Sequence, residues 1–299
     1  MPADTVHQYA LRLQNDLKIS YEEALTQAKL MLNYDPDLPI ISAFFSYLGG
    51  LLRGNLGASM FKDVTANDVI KQFLPWTLLI SSVSLLLSFL IGTAIGIRMA
   101  RKRDTYVDTI YAGVITVTSS IPDYLLGIVL LMWLGATLKV FPTYGAYDVK
   151  TVGDFFPYVG SIIHHAFLPI FTYTVSQVGI WALIAKGSAV SVLGDDYVSA
   201  ATVRGLPKRV IERKYLKKNA MLPLITSLVI SFAYLFGGSA VMEGVFSYPG
   251  IGREFTIYLG ARDYYVVQGL FVFLSFIIIT ANLVADFLCG LLDPRVRSK

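Results

Sequence analysis

Apolar residues in this chain come in long unbroken runs, not in the one-faced patterns of soluble elements. Five runs, 74–97, 110–138, 166–185, 222–242 and 266–285, carry a single charge between them, Asp123. Each reaches about the 20 residues that a helix needs to cross a bilayer. Soluble helices of that length keep a charged face. The pattern predicts an all-α membrane protein with five transmembrane helices. Before the first run, residues 1–73 are polar and mixed in charge. Within them, 4–31 read as an amphipathic helix or helix pair. Ser20 and Glu23 match a capping box that would restart a helix before Ala24, and Asp35-Pro36 with Leu38-Pro39 mark a turn. The predicted organisation is an extracytoplasmic amphipathic helical segment, 1–73, followed by a transmembrane domain, 74–299.

Composition agrees. Of 299 residues, 55% are hydrophobic and 15% charged, against roughly 25% charged in a soluble domain. Intrinsic disorder is excluded, and a lone cysteine, Cys289, excludes a disulfide scaffold. The net charge of +4 says less than its distribution. Lys and Arg number four in 98–109, two in 139–165, eight in 186–221, two in 243–265 and three in the tail. Basic residues collect on the cytoplasmic side. Loops 98–109 and 186–221 and the C-terminus are therefore predicted inside, and residues 1–73 outside. With six basic and eight acidic residues and no apolar leader, that segment has no evident means of export. Either a short tail translocates unaided or an upstream span precedes it; the second is the expectation.

The long cytoplasmic stretch does not read as plain loop. Asp195 and Asp196 suit a helix start, Gly205 a left-handed helix stop, and Pro207 the first turn of a second helix. Arg209, Arg213 and Lys217 then form one basic stripe. Two readings are open on these residues: retention by anionic lipid heads, or docking of a cytoplasmic partner. Small residues at the bend, Ala200, Ala201 and Gly205, favour close backbone packing.

Ser199-Ala200-Ala201-x-x-x-Gly205, with Pro223 eighteen residues after the glycine, resembles the EAA loop of ABC-importer permeases, with Ser where the name-giving Glu would stand. The run from Asp196-Tyr197-Val198 through Arg204-Gly205-Leu206 to Asn219-Ala220-Met221-Leu222-Pro223 is similar to the peptide and oligopeptide branch of those permeases. Leu51-Leu52-Arg53-Gly54-Asn55-Leu56-Gly57, Ser120-Ile121-Pro122-Asp123-Tyr124 and Phe141-Pro142-x-x-Gly145 resemble the same branch. So do Phe246-Ser247-Tyr248-Pro249-Gly250-Ile251-Gly252-Arg253 and Leu292-Asp293-Pro294-Arg295. The resemblance covers about residue 30 to the end.

This likeness implies a permease subunit of a binding-protein-dependent importer in a prokaryotic cytoplasmic membrane, multi-pass, with a cytoplasmic C-terminus. It implies a second homologous permease, two ABC ATPase subunits and an extracytoplasmic solute-binding protein as partners, within a lipid bilayer. ATP-Mg would be bound on the ATPases, with no cofactor on this chain. Docking would fall to Asp196, Ser199, Ala200, Ala201, Arg204, Gly205, Leu206, Arg209 and Arg213. Tyr248, Pro249, Gly250, Gly252 and Arg253 would form an external gate or binding-protein contact. Such permeases usually begin with one more helix, which is the span expected upstream. The solute, whether peptide, oligosaccharide, nickel or another, stays open.

The chain shows no G-x-x-x-x-G-K-[ST], no H-E-x-x-H and no G-x-S-x-G, so no catalytic role is expected. His164 and His165 read as interfacial, not metal-ligating, and Cys289 as a packed residue. Positive-inside retention accounts for the basic loops without nucleic acid. Asp123, inside a span, is a functional candidate by default, unless Pro122 kinks the helix and exposes it to water. It and Gln177 are the translocation-path candidates, Gln177 also suiting hydrogen bonding between helices. Gly92 and Gly96 form a small-xxx-small pair that favours close helix packing. The competing expectation is an ion-gradient-driven secondary transporter or channel that uses Asp123. An intramembrane enzyme ranks third.

Overall fold

The computed structural model describes residues 4–32, 39–237 and 240–292. Among the described residues it is helical, with no β-strand. The turn expected at 35–38 and the tail from Asp293 lie outside the described residues, as does the side chain of Cys289.

Three short helices come first: α1 (Asp4–Leu17), α2 (Tyr21–Leu32) and α3 (Ile40–Leu52). The capping box forms as read: Glu23 N–H donates to Ser20 Oγ at 3.3 Å, and Ser20 N–H donates to Glu23 Oε2 at 3.2 Å. Val6, Tyr9 and Ala10 of α1 pack against Ala24, Ala28 and Leu32 of α2, and both reach Met60 and Tyr265. Arg12 adds a hydrogen bond to the Met60 carbonyl at 2.8 Å. The N-terminal pair is thus fixed onto the start of the last helix.

The first run lies in α4 (Ala66–Arg101), capped by Thr65, whose side chain accepts from Asp68 N–H while Asp68 accepts back from Thr65 N–H. The second run lies in α5 (Tyr106–Ser120) and α6 (Asp123–Leu130), extended by a π-helical turn, Leu131–Thr137. The third lies in α7 (Phe155–Leu193). The stretch after the third run forms α8 (Asp196–Val203) and α9 (Lys208–Val210), continued as π-helix over Ile211–Leu216. The fourth run is α10 (Lys217–Ala233), a 3-10 turn over Tyr234–Gly237 and α11 (Ala240–Val245). Then come α12 (Ile251–Gly260) and α13 (Tyr264–Leu292).

Two of the five expected spans are not single helices. α4, α7 and residues 264–287 of α13 are each long and apolar enough to cross a membrane. Run 110–138 breaks between α5 and α6 with a bend of 86°. Pro122 lacks an N–H and disfavours helical geometry at the residue before it, and Ile121 is accordingly extended at φ −85° and ψ 121°. Run 222–242 leaves the α-helix at the 3-10 turn Tyr234–Gly237.

α4 and α7, 36 and 39 residues long, extend to about 54 and 58 Å at about 1.5 Å per residue. Both outrun the hydrocarbon core and carry the fold into its loops. They cross tightly. A Cβ on Gly92 would lie 2.5 Å from Trp181 Cβ and 2.6 Å from the Val178 carbonyl; one on Gly96 would meet the Ala182 carbonyl and lie 2.7 Å from Ala185 Cβ. The facing side of α7 is equally small, with Ala182, Ala185 and Ala189 fully buried. In lipid, association rests on such close van der Waals packing. Near the end of this seam Lys186 of α7 donates to both carboxylate oxygens of Asp108 of α5, at 2.7 and 2.9 Å.

Candidate partner-docking loop and translocation path

The loop that carries the docking candidates sits on a base made by its neighbours. Ala100 from α4, Ala189 and Val192 from α7, and Ala220 from α10 pack with Val198 and Ala201 of α8 and with Ile211 and Leu216. Ser188 Oγ donates to the Ala220 carbonyl at 2.8 Å, and Asn219 Nδ2 to the Tyr197 hydroxyl at 3.0 Å. The Tyr197 and Tyr215 rings stack above them. Displacing α8 therefore displaces the ends of three long helices.

Gly205 has φ +71°, the left-handed region that glycine enters without penalty. The turn closes through Gly205 N–H to the Thr202 carbonyl at 3.0 Å and Leu206 N–H to the Ala201 carbonyl at 3.2 Å. The docking candidates divide by face. Ala201 points into the base and Leu206 packs against its edge. Asp196, Ser199, Ala200, Arg204, Gly205 and Arg209 are exposed, as is Val203, which is 88% exposed. Ala201, expected at the partner surface, is instead an anchor, because a short helix must bury one side to be held. Arg213 lies on the π-helical turn, with its side chain outside the described residues.

The motif expected as an external gate or binding-protein contact is largely turned inward. Tyr248, Gly250 and Gly252 are buried, and only Pro249 and Arg253 keep surface. The cause is Glu243, which sequence reasoning passed over. Its carboxylate accepts from Thr77 Oγ1 at 2.7 Å and from Arg253 N–H at 2.9 Å, while Ile251 N–H donates to Thr77 Oγ1 at 2.8 Å. The backbone at the start of α12 wraps a carboxylate, as helix N-termini favour. A Cβ on Gly250 would overlap the Glu243 carboxyl group. The glycines are there because the chain closes on an acid. The signal available was an acid directly after an apolar run and seven residues before Gly250.

Two further acids lie in α12 and just before α13. Asp263 accepts from Ser59 Oγ and from Met60 N–H. Burial raises its pKa above the usual carboxylate range, and the Ser59 hydrogen bond opposes this. Glu254 is raised likewise by burial, opposed by the charges of Arg253 and Lys62. Arg253 Nη1 donates to it at 3.0 Å.

Asp123 sits at the start of α6, partly exposed, and accepts the Tyr124 N–H at 2.8 Å. It is a helix-start carboxylate at a break, where the helix dipole favours it. Gln177 is elsewhere. It lines a cavity of about 260 Å³ between α4, α7 and the end of α10, and Asp123 is not among the lining residues. Among the described residues no group of three or more His, Cys, Asp or Glu side chains could hold a metal ion. His164 Nε2 lies 2.8 Å from the Val140 carbonyl.

Long crossing helices, broken spans and a bent helix pair braced against α4, α7 and α10 fit a transport permease. Residues 92–298 match the family described as the binding-protein-dependent transport system inner membrane component. The chain belongs to that family. It is 30% identical to a probable peptide ABC transporter permease protein of Sinorhizobium fredii, over 92% of this chain and 86% of that one. It is also 30% identical to an oligopeptide transport system permease protein of Bacillus subtilis, over 96% and 89%. Among solved structures, the inward-facing MetNI methionine ABC transporter matches 75% of this chain and 96% of its own, with a TM-score of 0.58 and 18% identity. That match establishes a shared fold. Nothing supports the ion-gradient reading built on Asp123.

Proposed function

We propose that this chain forms half of the translocation path of an ATP-driven importer of short peptides. A second permease completes the path, two separate ATPases bind inside, and an extracytoplasmic binding protein delivers solute outside. ATP-Mg is bound and hydrolysed on the ATPases. The observation that carries this reading is the exposed face of α8, presented on a base shared with α4, α7 and α10. Closure of the ATPases would press on that face and move the long helices as a unit, as rigid bundles rock in other transporters. The relatives named for peptide and oligopeptide transport support the solute class. The basic loops support a cytoplasmic C-terminus.

Disulfide cross-linking tests the docking face. In a Cys289→Ser background, Ala200→Cys and Val203→Cys should cross-link to a cysteine-bearing ATPase in the assembled complex, and the cross-link should block ATP-driven uptake. Ala201→Cys, which faces the base, should not react. Cross-linking at 201 in preference to 200 and 203 would reject this face.

A further inference from the structure

Hydroxyl groups in the spans mostly spend their hydrogen bonds on their own helix. Ser82 donates to the Leu78 carbonyl, Ser84 to Ile80, Ser176 to Thr172, Thr226 to Leu222 and Ser227 to Pro223. Ser81 and Ser231 do not; they make no hydrogen bond among the described residues, and neither do the Gln177 amide and the Tyr234 hydroxyl. All four line the same cavity of about 260 Å³, together with Tyr173. Polar groups without partners are costly in a bilayer. All four keep accessible surface, Tyr234 at 61%, so they converge on an open polar space that a hydrogen-bonding occupant would fill. Among the described residues the Gln177 amide makes no hydrogen bond to another helix, which leaves it free to face the cavity.

The cavity lies at the right depth for a transiting solute. Ser81 is near the middle of α4, and Gln177 near the middle of α7. Its third wall is where α10 gives way to the 3-10 turn Tyr234–Gly237. Irregular backbone at membrane depth is tolerated where it is buried in protein or lines a cavity, and transporters place solute sites at such broken helices. The lining carries no Asp, Glu, Lys or Arg. By contrast, the larger groove of about 700 Å³ between α4, α5 and α7, which includes Leu87, Val114 and Phe171, is almost wholly apolar and suits lipid tails.

We infer that the Gln177 cavity is a solute subsite for a neutral hydrogen-bonding group, such as a peptide amide, at mid-membrane. This rests on the reading of the chain as half of a translocation path, and specifies what that half recognises. Serine, glutamine and tyrosine side chains offer donors and acceptors together, matching an amide's N–H and C=O. With no charge in the lining, the subsite is indifferent to the sign of a peptide's side chains. That suits a path shared by many sequences.

The test uses the assembled complex of both permeases, the ATPases and the binding protein in proteoliposomes, with radiolabelled trialanine as probe. Gln177→Leu should lower uptake per ATP hydrolysed about tenfold, the worth of one or two hydrogen bonds. Unchanged uptake per ATP in Gln177→Leu overturns the subsite. A second measurement avoids dependence on that variant's folding. In a Cys289→Ser background, Ser81→Cys and Ser231→Cys should react with a membrane-impermeant cationic methanethiosulfonate, and Phe171→Cys in the apolar groove should not. Cysteines at 81 and 231 that stay as unreactive as the one at 171 overturn the subsite whatever the uptake. Failure of the wild-type complex to accumulate trialanine under ATP strikes the peptide-importer reading itself, and the two failures are thereby told apart.

Discussion

Replacing Gly96 with valine should prevent accumulation of folded protein in the membrane. A Cβ at this position would meet the Ala182 carbonyl and lie 2.9 Å from the Lys186 backbone nitrogen, so backbone, not a rotatable side chain, is the obstacle. Overpacking a well-filled interior costs about 1–3 kcal/mol where side chains can shift, and here two helices would have to separate. The loss spreads along the seam, because Gly92 meets Trp181 one turn away and Ala189 is fully buried beyond. Thermal unfolding of detergent-solubilised protein reads the effect: Gly96→Val should show a much lower Tm, or no folded fraction. Gly113→Val on α5, where nothing lies within 4 Å of the added Cβ, should stay close to wild type. Similar Tm values for the two variants would remove the α4–α7 seam as the fold's main contact.

Replacing Gly205 with valine should instead leave the fold intact and break coupling. No atom lies within 4 Å of a Cβ built there, so space is not limiting. The cost is conformational, because φ is +71°. Left-handed geometry costs an ordinary residue roughly 1–2 kcal/mol, and a β-branched one more. Valine would pull the turn out of shape and shift the end of α8 relative to its base. ATP hydrolysis by the complex should persist, while uptake falls by about tenfold or more, the equivalent of about 1.4 kcal/mol. Asparagine tolerates the left-handed region, so Gly205→Asn should retain most of the uptake. Normal uptake in Gly205→Val would count heavily against α8 as the docking piece. Equal loss in both variants would mean that a side chain at 205, not its φ, obstructs the partner.

The spans were legible because apolar runs without charge have one physical explanation. Their interruptions were less so. Pro122 announced a possible kink, but a bend of 86° depends on what α6 packs against, and Phe246 and Met242 of distant chain approach Gly127 there. Gly92 and Gly96 could be read as a packing face; that the partner is α7 could not, since many helices offer small residues. The fit of Gly205 to a left-handed turn was local and therefore readable. Glu243 was missed because its partner Thr77 lies 166 positions away, so the acid looked like the edge of a loop. For the same reason the packing of Gly250 and Gly252 against Glu243 was not readable. Gln177 stood out as a polar residue in a span. Ser81 and Ser231 did not, because serines are common in membrane helices, and only their convergence on one cavity with Gln177 sets these two apart.

Uptake of radiolabelled trialanine into proteoliposomes is the most direct test of the chain as an ATP-driven permease half. The vesicles would hold this chain with its partner permease and ATPases, supplied with the binding protein, and would be assayed with and without ATP and a protonophore. The expected result is accumulation that requires ATP and both ATPases and survives the protonophore. Accumulation by this chain alone, indifferent to ATP and abolished by the protonophore, would contradict it.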